Sequence, residues 1–128
     1  MKRSFLFSLL FLAILAPSFA PKMKLTDEDR RRKVSQEILD NLLKEKYEDV
    51  RKDFHISLKQ VLPAEKISEV WTQIMATNGE FVKVVSVTAA TDKGYNQIKM
   101  RLQFKNDNAT QETTFNEEDK VVGMFIKP

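Results

Sequence analysis

The spacing of apolar residues changes once along the chain, and the change predicts the architecture. Val34, Ile38 and Leu42 stand at i, i+4 and i+8, with Leu39 and Leu43 beside them, which is one buried stripe of a helix. Thr26 ahead of Asp27, Glu28 and Asp29 supplies its start, because a threonine oxygen and carboxylates meet the unpaired N–H groups and positive dipole end of a first turn. Tyr47, Val50 and Phe54 form a shorter stripe and predict a short helix over 47–54. His55-Ile56-Ser57 breaks it, and Leu58, Val61 and Leu62 predict a further apolar turn. Pro63 suits the first position of the next helix, where its missing N–H has no partner to lose. Ile67, Val70, Trp71, Ile74 and Met75 carry that amphipathic helix to Asn78-Gly79, where glycine permits a left-handed cap.

After Gly79 the period falls to two. Phe81–Thr88 is rich in valine and reads as a strand closed by the turn Thr91-Asp92-Lys93-Gly94. Ile98, Met100, Leu102 and Phe104 alternate with Lys99, Arg101, Gln103 and Lys105, a strand with one wet face. Asn106-Asp107-Asn108 turns again, Thr110–Phe115 gives a third strand, and Asn116–Lys120 a third turn. Val121–Ile126 is apolar at every second position in both registers and predicts a strand covered on both faces. Turns this short join antiparallel neighbours, since parallel strands need long crossovers. Helices first and strands second predict an α+β domain over 27–128, with N-terminal helices packed on a curved four-stranded antiparallel β-meander.

The first twenty residues have a different logic. Lys2 and Arg3 precede an apolar run from Phe5 to Ala16, followed by small residues, which is the layout of a secretory signal peptide over 1–20. The run is shorter than the ~20 residues of a membrane span. Cleavage is expected after Ala20 or after Ser18, with Pro21 disfavouring the first, and residues 21–26 form a leader. The expected destination is outside the cytoplasm, periplasmic or secreted, with no stable membrane span after cleavage. The chain has no cysteine, so neither disulfides nor thiolate chemistry enter. Its formal charge of +3 falls to about +1 once Lys2 and Arg3 leave, and basic and acidic residues are interleaved. Nucleic acid is therefore not an expected partner. The run Arg30-Arg31-Arg32-Lys33 reads as a solvated helix face balanced by Asp27, Glu28, Asp29 and Glu37.

Candidate chemistry concentrates in Asp53–Trp71, which holds the only histidine and the only tryptophan. As a general base His55 would need an orienting carboxylate, for which Asp53 is the nearest candidate, and Tyr47 is a further polar candidate. A lone His in a connector more commonly caps a helix end. No nucleophile elbow, phosphate loop or metal-ligand spacing occurs, and no cofactor or metal is expected. Trp71 lies on the apolar stripe of its helix, where a large aromatic fills the space between helix and sheet.

The succession of "KYEDVRKDF", "LPAEKISEVWTQIMATNGEF" and a meander ending "DKVVGMFIKP" resembles the uncharacterised bacterial family of domain of unknown function 3887. The resemblance rests on Tyr47, Phe54, Leu62, Pro63, Trp71, Gly79, Phe81, Gly123 and Phe125 and covers about 30–127. It implies a cone-shaped fold of the cystatin-like or nuclear-transport-factor-2-like kind, and export. Some relatives carry the domain ahead of a hydrolase, so an enzyme assisted by this chain would be a separate protein. The family has no established activity to carry over.

Three functional expectations follow. The first is an exported, non-catalytic ligand-binding or interaction domain, its pocket between the Pro63 helix and the sheet and lined by Phe54, Trp71, Met75, Met100, Leu102 and Phe104. Its partner would be a small apolar ligand or an envelope protein. The second is a small isomerase- or hydrolase-type enzyme using His55 with Asp53 or Tyr47. The third is a structural homodimer joined through the outer sheet face.

Overall fold

The computed structural model describes residues 25–128; the expected signal peptide over 1–20 and residues 21–24 of the expected leader lie outside the described residues. Four helices precede four strands: α1 (Asp27–Leu43), α2 (Tyr47–Val50), α3 (Ile56–Val61), α4 (Ala64–Asn78), β1 (Phe81–Asp92), β2 (Tyr95–Phe104), β3 (Asn108–Phe115) and β4 (Val121–Lys127). The strands form one antiparallel sheet in the order β1-β2-β3-β4, so the fold is α+β and the sheet a meander. This arrangement is compatible with the cone-shaped expectation.

Thr26 caps α1 as its sequence predicts, and does so reciprocally. Asp29 N–H donates to Thr26 Oγ1 at 3.0 Å, and Thr26 N–H reaches Asp29 Oδ2 at 3.4 Å. The buried face of α1 is Ser35, Ile38, Leu39 and Leu42, while Val34 sits at its margin and Leu43 turns out. The basic run differs from expectation. Arg32 pairs with Glu28, but it also donates to Val87 O at 3.1 Å, and Arg31, only 14% exposed, reaches Asp119 at 2.9 Å. Glu37 pairs instead with Lys52, at 3.4 Å. Two of the arginines thus tie α1 to β1 and to the β3–β4 turn, contacts between residues far apart in sequence.

The inner sheet face is as the alternation predicts: Ile98, Met100, Leu102 and Phe104 of β2 are all buried, joined from β3 by Ala109, Gln111, Thr113 and Phe115. β1 runs four residues beyond its predicted end. Lys93 (φ 53°) and Gly94 (φ 87°) alone make the turn, and a two-residue turn with both φ positive keeps the ladder paired out to Asp92 and Tyr95. β4 is not the covered strand that its composition predicts. It is an edge strand, its inner residues Met124 and Ile126 are half-buried, and Phe125 is 56% exposed on the outer face. Pro63 caps α4 from one position outside it, and the helix of 47–54 stops at Val50 because Phe54 leaves to bridge Val121 of β4.

Gly79 ends α4 with φ 88° and ψ −173°, an extended left-handed conformation open essentially to glycine alone. A side chain there would also meet Lys105 Cβ at 3.1 Å and the Asn106 amide at 3.0 Å. The β2–β3 turn is bonded to the helix end at this point, through Lys105 N–H to Glu80 O and Asn106 N–H to Asn78 O, both 2.8 Å.

Gly79→Ala is expected to cost about 2 kcal/mol or more, combining backbone strain with crowding. Gly94→Ala, with open space around the position, is expected to cost about 1 kcal/mol. Urea unfolding of both variants checks this; equal losses would mean that the packing against Lys105 and Asn106 contributes nothing.

Candidate functional site

The stretch from Asp53 to Trp71 is held by backbone bonds before any side chain is considered. Val121 N–H donates to Asp53 O at 2.9 Å and His55 N–H donates to Val121 O at 2.8 Å, stitching the chain on either side of Phe54 to the start of β4. His55 is the N-cap of α3. Its Nδ1 accepts the Ser57 backbone N–H at 3.1 Å and lies 2.8 Å from the Ser57 hydroxyl. The far end of α3 is closed by Arg51, which donates to Lys59 O at 3.0 Å and to Leu62 O at 3.1 Å while holding Glu48. Arg51 was not singled out by sequence patterning, because its partners lie in a helix whose end no local signal marks.

Among the described residues no hydrogen bond joins His55 to Asp53 or Tyr47. Tyr47 packs half-buried against the core, and Asp53 contributes its carbonyl to β4. The hydrogen bonds of the His55 ring run to Ser57 instead. Among the described residues, no group of three or more His, Cys, Asp or Glu stands close enough to hold a metal ion.

The expected pocket lining is corrected in the same way. Phe54, Trp71, Met100, Leu102 and Phe104 are at most 3% exposed and belong to one packed core, with Met75 half-buried against it. Trp71 leans on Phe104 at 5.8 Å between ring centroids and 56° between planes, and Phe81 meets the same ring edge-on at 5.8 Å. Tilted and edge-on contacts of this kind satisfy the ring quadrupoles and leave no slot between helix and sheet. These residues fill the space they were expected to line.

The apolar concavity lies beside them, between α4 and the edge strand. A hollow of about 280 Å³ is walled by Leu62, Ile67 and Val70 on the helix side and by Met124, Phe125 and Ile126 on the strand, with Lys66 at its rim. Two adjoining hollows, about 390 and 230 Å³, share Ile126 with it and continue past Ile74 towards Asn78. Together they form a trough along the helix. Val70 and Ile74 belong to the stripe read from sequence, but that stripe is wider than the core can cover: Ile67 and Trp71 are buried, and Val70 remains 41% exposed. The excess apolar width of α4 and of β4 meets across this gap. A larger hollow of about 540 Å³ lies between the β1–β2 and β3–β4 turns, but its walls are mostly polar.

A second feature was not legible beforehand. Gln111 is fully buried on the inner face and donates to Ser35 O at 3.0 Å, tying β3 to α1. Ser35 Oγ, Gln111 Oε1 and Thr113 Oγ1 find no partner around it. Inward polar residues on a strand read as turn-like or wet, so nothing in the pattern distinguishes them.

Trp71→Ala is expected to destabilise by about 3–5 kcal/mol, as for a buried aromatic. His55→Ala should cost about 1 kcal/mol, most of it restored by His55→Asn, which keeps a capping acceptor. Denaturant unfolding measures both. A loss below about 1 kcal/mol for Trp71→Ala would place the indole at an open mouth and restore the original pocket.

No curated protein and no solved structure matches the chain. The model of the family described as "Protein of unknown function (DUF3887)" matches residues 35–124, which contain the buried core, the capped α3 and the helix side of the trough, while Phe125 and Ile126 of its strand wall lie beyond the match. The chain belongs to that family.

Proposed function

We propose that this is an exported, non-catalytic binding domain whose site is the trough between α4 and β4, and whose ligand has an apolar body with an anionic head. The observation that carries the reading is Val70, a valine left 41% exposed on a packed helix, facing Met124 and Ile126 of the edge strand across a hollow of about 280 Å³. That volume falls just below the ~300 Å³ at which small-molecule sites begin, and the adjoining hollows extend it. Lys66 and Lys127 both line this hollow, with Glu69 beside the adjoining one. Lys127 is engaged by Glu112, and Lys66 is exposed with no ion pair among the described residues, so an acidic group is the head that suits it. Export is supported by the basic, apolar and small segments of residues 1–20. The commitment of His55 to capping supports the non-catalytic part.

A thermal-unfolding screen of the chain from Pro21 with fatty acids, lysophospholipids, sterols and apolar peptides tests the reading. A ligand at 100 times its Kd adds about 2.7 kcal/mol, and each kcal/mol raises Tm by roughly 4–8 °C in a domain of this size. Val70→Glu is expected to keep Tm close to the parent value and to abolish the shift. A shift that survives Val70→Glu, or no shift with any class, overturns the trough as the site.

A further inference from the structure

The outer face of the sheet carries charge of nearly one sign. Register places Lys83 opposite Gln103, Ser86 opposite Arg101 and Thr88 opposite Lys99, then Lys99 opposite Glu112, and Thr110 between Arg101 and Lys127. These residues alternate with the buried Met100, Leu102, Ala109 and Gln111, so they stand on the side away from the helices. Lys83, Lys99, Arg101 and Lys127 therefore share the middle of this face with one acid, Glu112. That carboxylate is only 14% exposed and is engaged by Lys127 at 3.2 Å. Arg101 donates to the Thr110 hydroxyl at 2.8 Å, and neither it nor Lys83 or Lys99 has a carboxylate partner among the described residues. By contrast, Arg30, Arg31 and Arg32 on α1 are each paired with acids.

The same face is also apolar in places where a solvated sheet would not be. Two irregularities in β1 leave Val82 and Val85 without partners in the register, and these valines are 51% and 52% exposed. A bulge sets two residues against one, which places Val82 beside Lys83 and Val85 beside Ser86. Phe125, opposite Glu112, is 56% exposed, and the Lys127 ammonium lies 5.7 Å from its ring centroid. A surface for a soluble polyanion needs cations alone. Cations interspersed with half-exposed valines and a phenylalanine match an anionic bilayer interface, where phosphates meet the charges and apolar side chains enter the headgroup boundary. We infer that the outer sheet face docks peripherally on an anionic phospholipid bilayer. Among the described residues no helix is long and apolar enough to cross a membrane, so this docking is to the surface. It meets the trough at the edge strand, where Phe125 and Lys127 also line the hollow between α4 and β4.

The test is co-sedimentation of the chain from Pro21, which retains every core residue, with vesicles of phosphatidylcholine containing phosphatidylglycerol and with phosphatidylcholine alone. Binding is expected only to the mixed vesicles, and to weaken as salt screens the charges over about 8 Å at physiological ionic strength. Lys83→Gln with Lys99→Gln should weaken it about fivefold per side chain, about 25-fold together. Lys33→Gln with Lys44→Gln, an equal charge change on α1 and its C-cap, should leave it unchanged. Val82→Ser with Val85→Ser, both clear of the trough, should weaken vesicle binding at unchanged net charge. Tm is measured for each variant, and the two outer-face pairs give separate readings. The inference is overturned by absence of binding to the mixed vesicles, by an equal loss in the α1 pair, or by binding to soluble polyphosphate that matches vesicle binding. A doubled mass in solution that the outer-face substitutions abolish would also overturn it, since a second copy would then cover the face.

Discussion

Four side chains on the inner face of β2 must be kept from water, and the placement of the two long helices, α1 and α4, answers to that requirement. Ile98, Met100, Leu102 and Phe104 are at most 2% exposed. Burying side chains of these types is worth about 1.5–3 kcal/mol each. Their sum is comparable with the ~5–15 kcal/mol that holds a domain folded. α1 covers one part with Ile38, Leu39 and Leu42, and α4 covers another with Ile67 and Trp71, whose ring rests on Phe104. Gln111 and two arginines then fix α1 to the sheet by polar contacts.

The segment between those helices explains why a stretch rich in chemically capable residues behaves as a brace. Phe54 pairs with Val121, His55 begins α3 and Arg51 closes it, so backbone and side-chain donors and acceptors are used in turning the chain. The turn carries the chain into α4 with its widest apolar face divided between two neighbours. One side meets the core, and the other overlooks β4 across the trough.

The sheet therefore has two unlike surfaces. Its inner side, with α4, leaves a small apolar trough, while its outer side gathers cations and a few exposed apolar residues. A binding domain that holds an amphipathic ligand on one side and rests on an anionic bilayer with the other would have its cargo and its source close together. That relation gives the two proposals a common physical setting, and they adjoin at Phe125 and Lys127 on the edge strand.

Local patterning determined much of the fold. Thr26 and the acids after it start α1, Asn78-Gly79 ends α4, Lys93-Gly94 makes a hairpin, and strict alternation on β2 assigns its inner face. Each of these is a choice between a few backbone conformations that near neighbours decide. Tertiary structure alone decided whether apolar residues form a wall or a filling. Trp71, Phe104 and Phe54 are equally apolar in either role, and only the approach of three elements closes the space between them. It likewise decided that β4 is an edge and that Arg31 serves Asp119 rather than its own helix. Such outcomes depend on distances between residues far apart in the chain, and hydrophobic periodicity carries no record of those distances.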